Sequence, residues 1–310
     1  RRFRIKVDET LVPDRNEEYL LYQTLLGAWP STPMDEPEYE AFTERVEQYM
    51  VKAIREAKVH TGWINPREEY EDAAKKFVRA ILDRSVSNPF LEAFLPFHTL
   101  VARCGMHNSL AQLLVKITAP GIPDCYQGTE LWEFSLVDPD NRRPVDFERR
   151  AAMLQDCHDS AGEQGIDRLA LVRRLMESWE DGRIKLYLLH RGLRHRREHA
   201  TLYLDGDYVP LECHGARQSN ICAFARLHQE QAIVTVIPRL SAELVPAGSA
   251  AVGNLWEDTR LTVPSWKDGS HYINLLTGQR LETITEEGRQ VLSLRQVLRD
   301  CPVALLERCS

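Results

Sequence analysis

Nowhere in the 310 residues do about 18 apolar side chains follow one another, so the sequence offers no membrane-spanning helix. The first stretch, "RRFRIKVDET", carries charge where a secretory leader carries an apolar centre, and the expectation is a cytoplasmic protein. An excess of positive charge is also missing. Lys and Arg number 39 against 46 Asp and Glu, a formal net charge of -7. That balance provides no broad positive field, so neither nucleic acid nor a membrane surface is an expected partner, and a neutral or polar ligand fits better. Cysteine is sparse and unpatterned: Cys104, Cys125, Cys157, Cys213, Cys222, Cys301 and Cys309 are odd in number, scattered and never C-x-x-C. This argues against a disulfide framework or a zinc knuckle and for reduced thiols. Internal repeats and low-complexity linkers are absent too.

What is present is ordinary globular usage, 43% hydrophobic and 27% charged, in a chain long enough for two domains or one large one. "DRNEEYLLYQTLLG" places a cap at Asp14, acids in the first turn and a stop at Gly27. In "EPEYEAFTERVEQYMVKAIREAKVH" the residues Tyr39, Phe42, Val46, Tyr49, Met50, Ala53 and Ile54 share one helical face. "NPREEYEDAAKKFVRAILD" predicts a helix capped by Asn65 with Pro66 at its first position. "FLEAFLPFHTLVARCGMHNSLAQLLVKITAPG" reads as one or two buried helices, and "IDRLALVRRLMESWE" and "IKLYLLHRGLRHRR" as two more. After about Ala200 the texture becomes short apolar or alternating runs broken by Gly-Asp, Pro and Asn, which predicts a small antiparallel β-domain.

Between these regions lies "GIPDCYQGTELWEFSLVDPDNRRPVD", Gly121 to Asp146. "IPDCY" predicts a short strand, and the polar loop begins at its C-terminal end, where α/β folds collect their ligands. Together with "PDRNEEYLLYQTLLGAWP", "GWINPREEYE", "DTRLTVP" and "PVALLER", this stretch resembles the C-terminal part of the maltooligosyltrehalose synthase family. That family lies within the α-amylase superfamily, glycoside hydrolase family 13. The last barrel strand of the superfamily commonly ends in G-x-P-x-x-Y-x-G-x-E, matched by Gly121, Pro123, Tyr126, Gly128 and Glu130. The element Asp138 to Pro144, D-P-D-N-R-R-P, is close to the particular enzyme family.

The resemblance implies α/β plus all-β architecture: the late helices and last strand of an incomplete (β/α)8 barrel, then a C-terminal antiparallel β-sandwich. The expected boundaries are 1–160 for the barrel portion with a helical insertion, 161–199 for linking helices and 200–310 for the β-domain. It further implies an isomerase of trehalose biosynthesis, which converts the reducing-end α-1,4 bond of a maltooligosaccharide to an α,α-1,1 bond by intramolecular transglucosylation. The superfamily's three catalytic acids have no matching motif here: no D-G-x-R-x-D segment, no general-acid strand and no H-D pair. No catalytic residue is therefore assigned, and the expected partner beside the maltooligosaccharide is a preceding catalytic portion of the same polypeptide. No metal or organic cofactor is implied.

The residues assigned to sugar are Tyr126, Gln127, Glu130, Asp138, Asp140, Asn141, Arg142 and Arg143. Tyr126 and Gln127 can stack on and hydrogen-bond a glucose unit, while Glu130 is expected to orient a neighbour such as Arg142. Adjacent arginines can divide their roles, one braced by Asp138 or Asp140 and one facing the sugar; the competing reading has both bracing the loop. Asp138 and Asp140 are poorly suited to be a glycosidase pair, because retaining chemistry needs carboxyls roughly 5 to 5.5 Å apart on separate rigid elements. Asp14, Arg15, Asn16 and Glu18 are explained mostly by capping. His195 and His199 have metal-ligand spacing, but the surrounding arginines and the lack of a carboxylate other than Glu198 favour a solvated helix end. Trp179, Trp256 and Trp266 are candidates for a sugar platform or for core. A stand-alone carbohydrate-binding or regulatory module is the competing function.

Overall fold

The computed structural model describes residues 2–161, 167–244, 250–266 and 271–309; the stretch 162–166, within the expected linking segment, lies outside them. The chain divides into two units: Arg1–Ala102 with Phe134–Pro144, and Arg103–Glu133 with Val145–Ser310.

In the first unit, β1 (Ile5–Val7) and β2 (Thr10–Val12) form an antiparallel hairpin. The helix α1 (Arg15–Ala28) starts where the sequence predicts. The Asp14 carboxylate accepts from the Glu17 N–H at 2.9 Å, and the Glu17 carboxylate accepts from the Asp14 N–H at 2.8 Å, so two otherwise orphaned donors are satisfied reciprocally. The same device, Asp35 with Glu38, opens α2 (Glu36–Ala57). The helix α3 (Glu68–Leu82) begins later than expected and lacks a side-chain cap, because Arg67 at the cap position carries no acceptor; the Arg67 N–H donates to the Thr61 hydroxyl at 2.9 Å. The predicted face of α2 is buried: Tyr39, Phe42, Val46, Met50 and Ile54 pack with Tyr70, Ala74, Phe77, Val78 and Ile81 of α3. Each large side chain so enclosed contributes about 1.5–3 kcal/mol. Leu136, from the segment Phe134–Pro144, joins this core.

Of the one or two helices expected after Pro89 the structure has one, α4 (Pro89–Thr118), which continues through Pro96. The division between the units falls inside it. The second unit continues with α5 (Phe147–Ala161), α6 (Arg168–Glu177), α7 (Arg183–Glu198) and α8 (Ala200–Leu204). Two antiparallel sheets follow, built from β3 (Asp207–Pro210), β4 (Cys213–His214), β5 (Ile221–His228), β6 (Gln231–Pro238), β7 (Arg260–Thr262), β8 (His271–Asn274), β9 (Arg280–Glu282), β10 (Ile284–Glu286), β11 (Arg289–Ser293) and, after a turn of helix α9 (Leu294–Val297), β12 (Ala304–Cys309). The six-stranded order is β3-β5-β6-β12-β8-β9 and the four-stranded order is β10-β11-β7-β4.

The central strands carry unbroken apolar runs because both faces are covered. Ile233 and Ile237 of β6 and Leu305 of β12 pack with Leu110, Leu114 and Ile117 of α4, Leu175 of α6 and Leu188 of α7. Val234 and Val236 of β6 and Ala304 and Leu306 of β12 point the other way, into a cluster with Leu261 of β7, Leu292 of β11 and Trp256. The register Leu305↔Thr235 and Glu307↔Ile233 fixes this alternation.

The expected strand "IPDCY" does not form: residues 122–126 carry no ladder, and Ile122 is 90% exposed. A strand exists only through the hydrogen bonds of a neighbour, and among the described residues every strand pair is antiparallel and lies elsewhere. Among those residues no helix is long and apolar enough to cross a membrane.

Candidate functional site

The residues assigned to sugar fall in both units, so each group is built separately. In the second unit, Tyr126 to Glu130 forms a tight turn. The Tyr126 carbonyl accepts from the Thr129 N–H at 3.1 Å and from the Thr129 hydroxyl at 2.6 Å. Gly128 has φ +94, and a Cβ there would come within 2.9 Å of the Glu133 carboxylate, so the turn needs glycine. Glu130 orients a neighbour, as expected, but the neighbour is Arg150 on α5 and not Arg142. Its carboxylate accepts from the Gly128 N–H and from Arg150 Nε, both at 3.0 Å. Arg150 also donates to the carbonyls of Gly128 at 2.9 Å and Asp146 at 3.0 Å. This clamp holds the turn while Tyr126 and Gln127 remain exposed above it. Arg150 was not assigned from the sequence; its position one helical turn after Asp146, whose carboxylate accepts from the Arg149 N–H at 2.8 Å, was the available signal.

Under the same turn lies Lys185 of α7, buried, donating to the Leu131 carbonyl at 2.9 Å with its ammonium 5.6 Å from the centre of the Trp132 ring. Burial pushes its pKa down to about 8 and Lys116 adds repulsion, while Glu133 and Glu130 pull the other way. A lone Lys at the second position of the run Ile184 to Leu189 was its only mark in the sequence.

In the first unit, the Asp138 to Arg143 loop is tied down by its acids. Asp140 accepts a forked pair from Arg45 of α2, Nε at 2.8 Å and Nη2 at 2.7 Å, and a third bond from the Leu136 N–H at 2.7 Å. Arg45 also donates to the Phe134 carbonyl at 2.9 Å. Burial alone would raise the Asp140 carboxyl; the bonds from Arg45 and Leu136 outweigh it and hold the group below the usual carboxylate range. The Asp138 carbonyl accepts from Lys52, and its carboxylate pairs with Arg142 at 2.5 Å. Arg143 lies 3.0 Å from the Asp140 carboxylate and reaches the Ser135 hydroxyl at 3.2 Å. Each arginine is thus paired with an acid of the loop, Arg142 with Asp138 and Arg143 with Asp140, as in the reading where both brace it, while the Arg142 side chain stays 73% exposed beside an exposed Asn141. Both acids are engaged by arginines on one short loop, an arrangement that orders backbone and has no general-acid geometry.

The other sequence candidates resolve as follows. Asp14 is the helix cap expected of it, and also meets His60 at 3.0 Å. Arg15 and Glu18 do more than sit at a helix start: with Arg4, Leu11, Tyr19 and Tyr22 they line an open pocket of about 650 Å³. Trp179 and Trp256 are buried core and Trp266 lies under the Arg308 guanidinium, 3.9 Å from the ring centre, so no three-ring platform forms. His195 is not at a solvated helix end. It is buried, and a carboxylate unseen in the sequence, Glu307 of β12, stands 3.3 Å from its Nε2.

No protein-family model matches the chain. Over 299 residues, 96% of its length, it is 31% identical to a protein of Mycobacterium tuberculosis (strain H37Rv) named putative maltooligosyl trehalose synthase. The maltooligosyltrehalose synthase structure from Arthrobacter ramosus is similar at 30% identity with a TM-score of 0.70, over 94% of this chain and 32% of that one. A structure described as a hypothetical maltooligosyl trehalose synthase of Sulfolobus tokodaii is similar at 25% identity with a TM-score of 0.63, over 95% of this chain and 32% of that one. The chain spans about a third of the length of the curated relatives it matches.

Proposed function

From the premise that this chain is a homologue of the maltooligosyl trehalose synthases over nearly all of its length, we propose that it is the C-terminal portion of an intramolecular transglucosylase. The enzyme breaks the reducing-end α-1,4 bond of a maltooligosaccharide, holds the remaining sugar covalently, and lets the freed glucose attack through its own anomeric hydroxyl, giving an α,α-1,1 bond. The observation that carries this reading is the even likeness, 96% of this chain against 32% of the relative. The carboxylates of the reaction are placed in a portion of the polypeptide preceding Arg1.

In this reading the present chain supplies scaffold and, in each unit separately, groups that contact sugar. The ring of Tyr126 offers a face for stacking, Gln127 and Asn141 offer amides, and Arg142 offers a fork of donors to sugar hydroxyls. Glu130, Asp138, Asp140 and Arg143 act behind them, holding the two loops in shape. A loop already braced before sugar arrives loses little entropy on binding, and one that excludes water protects the glycosyl intermediate from hydrolysis.

Incubated with maltopentaose, the 310-residue chain is expected to yield no non-reducing product. A polypeptide that also carries the preceding portion converts the sugar, and Arg142→Ala in it lowers kcat/KM by about tenfold or more, ~1.4 kcal/mol or more of transition-state stabilisation, with Tm unchanged. Product from the chain alone overturns the location of the chemistry. Wild-type kinetics in Arg142→Ala removes this arginine from the sugar site. Sugar binding without conversion in the longer polypeptide identifies a binding module instead.

A further inference from the structure

We propose that His195, His199 and Glu307 form a Zn²⁺ site that ties the C-terminal end of α7 to the last strand, β12, independently of any sugar chemistry. His195 and His199 are one helical turn apart at the end of α7, the His199 N–H donating to the His195 carbonyl at 2.9 Å, so both rings leave the helix on one side. The rings stack with centroids 4.3 Å apart. Glu307 reaches them from β12, where its register opposite Ile233 and Ile273 puts it on the face covered by the helices.

The spacing is that of donors around a missing centre. Zn–N and Zn–O bonds of about 2.0–2.1 Å in a tetrahedral shell place neighbouring donor atoms about 3.3–3.4 Å apart. The Glu307 Oε1 is 3.3 Å from His195 Nε2 and 3.6 Å from His199 Nε2, and all three donors lie within 4.8 Å of one another. A charge-assisted hydrogen bond would be shorter, about 2.7–2.9 Å. His195, only 6% exposed, makes no well-aligned hydrogen bond through Nε2, whose polar neighbour is the Glu307 carboxylate at 3.3 Å. An orphaned polar atom at that depth is costly unless something occupies the space before it. His199 lies at the helix end, half-buried, and closing the third edge requires its ring to turn out of the stack with His195.

The far side of His195 is arranged as a metal ligand requires. Its Nδ1 lies 2.7 Å from the hydroxyl of Tyr203, itself buried. A proton on Nδ1 donated to that hydroxyl leaves Nε2 with its lone pair toward Glu307, the second partner that fixes tautomer and ring orientation in histidine metal sites. Two imidazoles and one carboxylate leave a fourth coordination position unfilled, and all three side chains line one pocket of about 250 Å³. Arg168, Arg191 and Arg194 also line that pocket. Arg194 is matched by Glu198 at 2.8 Å, and Arg191 donates to the Leu275 carbonyl at 3.3 Å. The residual positive field disfavours Ca²⁺ and Mg²⁺, which bind oxygen largely through charge, more than Zn²⁺, which gains from imidazole coordination.

The second cluster of this kind, Asp14, Glu17 and His60, has its acids engaged already. Asp14 and Glu17 cap α1, and Glu17 also accepts from the Tyr70 hydroxyl at 2.6 Å.

The test is calorimetric titration of the metal-free chain with ZnCl₂, paired with Co²⁺ absorbance, since tetrahedral Co²⁺ gives strong visible bands. One Zn²⁺ per chain is expected. Tyr203→Phe weakens it about 10- to 100-fold, and His199→Ala and Glu307→Gln weaken it further and abolish the cobalt bands. Because His199 and Glu307 are only partly buried, their variants are expected to keep the metal-free melting curve, which shows that loss of binding is not loss of fold. Absence of stoichiometric binding overturns the proposal. So does binding that His199→Ala and Glu307→Gln leave unchanged, which would assign the metal to the free cysteines or to surface histidines.

Discussion

Asp140 shows how far one residue's role can be read from its neighbours in sequence. The motif D-P-D-N-R-R-P announced a stiffened polar loop, and the pairing of both its arginines with its acids was among the expected arrangements. Its main partner was not legible, because Arg45 stands 95 residues earlier on a helix face that sequence alone reads as solvated. The same holds for Glu130 with Arg150 and His195 with Glu307. Local spacing encodes caps and faces, while ion pairs between distant segments are set by how those segments fold back. Removing the Asp140 carboxylate leaves the Arg45 guanidinium, mostly enclosed, without its fork. Asp140→Ala is therefore expected to cost about 2–4 kcal/mol in urea unfolding at pH 7. The pH dependence has a definite sign. The folded carboxyl lies below its unfolded value, so its contribution is present above about pH 4 and is lost as pH falls through the depressed folded value. The gap between wild type and Asp140→Ala should narrow from pH 5 toward pH 2, and a gap constant over that range would refute the carboxylate as its cause.

Among the elements, α1 and α2 were readable because their caps and apolar faces agree, and β5, β6 and β12 because β-branched and leucine runs are bounded by turns. The helix α5 was missed: its start, Phe147 to Arg150, is polar and mostly exposed, so no apolar period marks it. The strand "IPDCY" was expected in error, since pentapeptides with Ile and Tyr satisfy strand composition whether or not a neighbour exists to pair with them. In α7 the discordant residue is Lys185. Its folded pKa of about 8 lies below the ordinary lysine value of 10.5, so the folded state gives up this proton first. Stability from this group is thus fully present above about pH 10.5 and is lost as pH falls through about 8. Lys185→Met should abolish that rise between pH 8 and 10, read as the difference between variant and wild-type urea midpoints. An identical slope in both would place the proton elsewhere.

For the whole molecule, the cysteine count was a sound guide: all seven thiols are free. They differ in depth. Cys222 is exposed, burial pushes the Cys213 thiol up to about 11, and the fully enclosed Cys301 is pushed up to about 12. A thiol-specific chromophore at pH 8 should label Cys222 first and leave Cys157 and Cys301 until denaturant is added, when seven groups react; fewer than seven in denaturant would reveal a disulfide. Composition and periodicity conveyed the helical first part and the β-rich last part. They did not convey the path between. The chain leaves the first unit after Ala102, returns to it at Phe134, and departs again after Pro144. Two lengths of polypeptide are thereby spliced like alternate verses, and no single break in the gene separates them. A truncation after Ala102 would strip Arg45 of Asp140 and the first core of Leu136. The shortest uninterrupted piece that keeps the first unit whole runs to Pro144, and it necessarily carries with it 31 residues, Arg103–Glu133, whose native companions have been left behind.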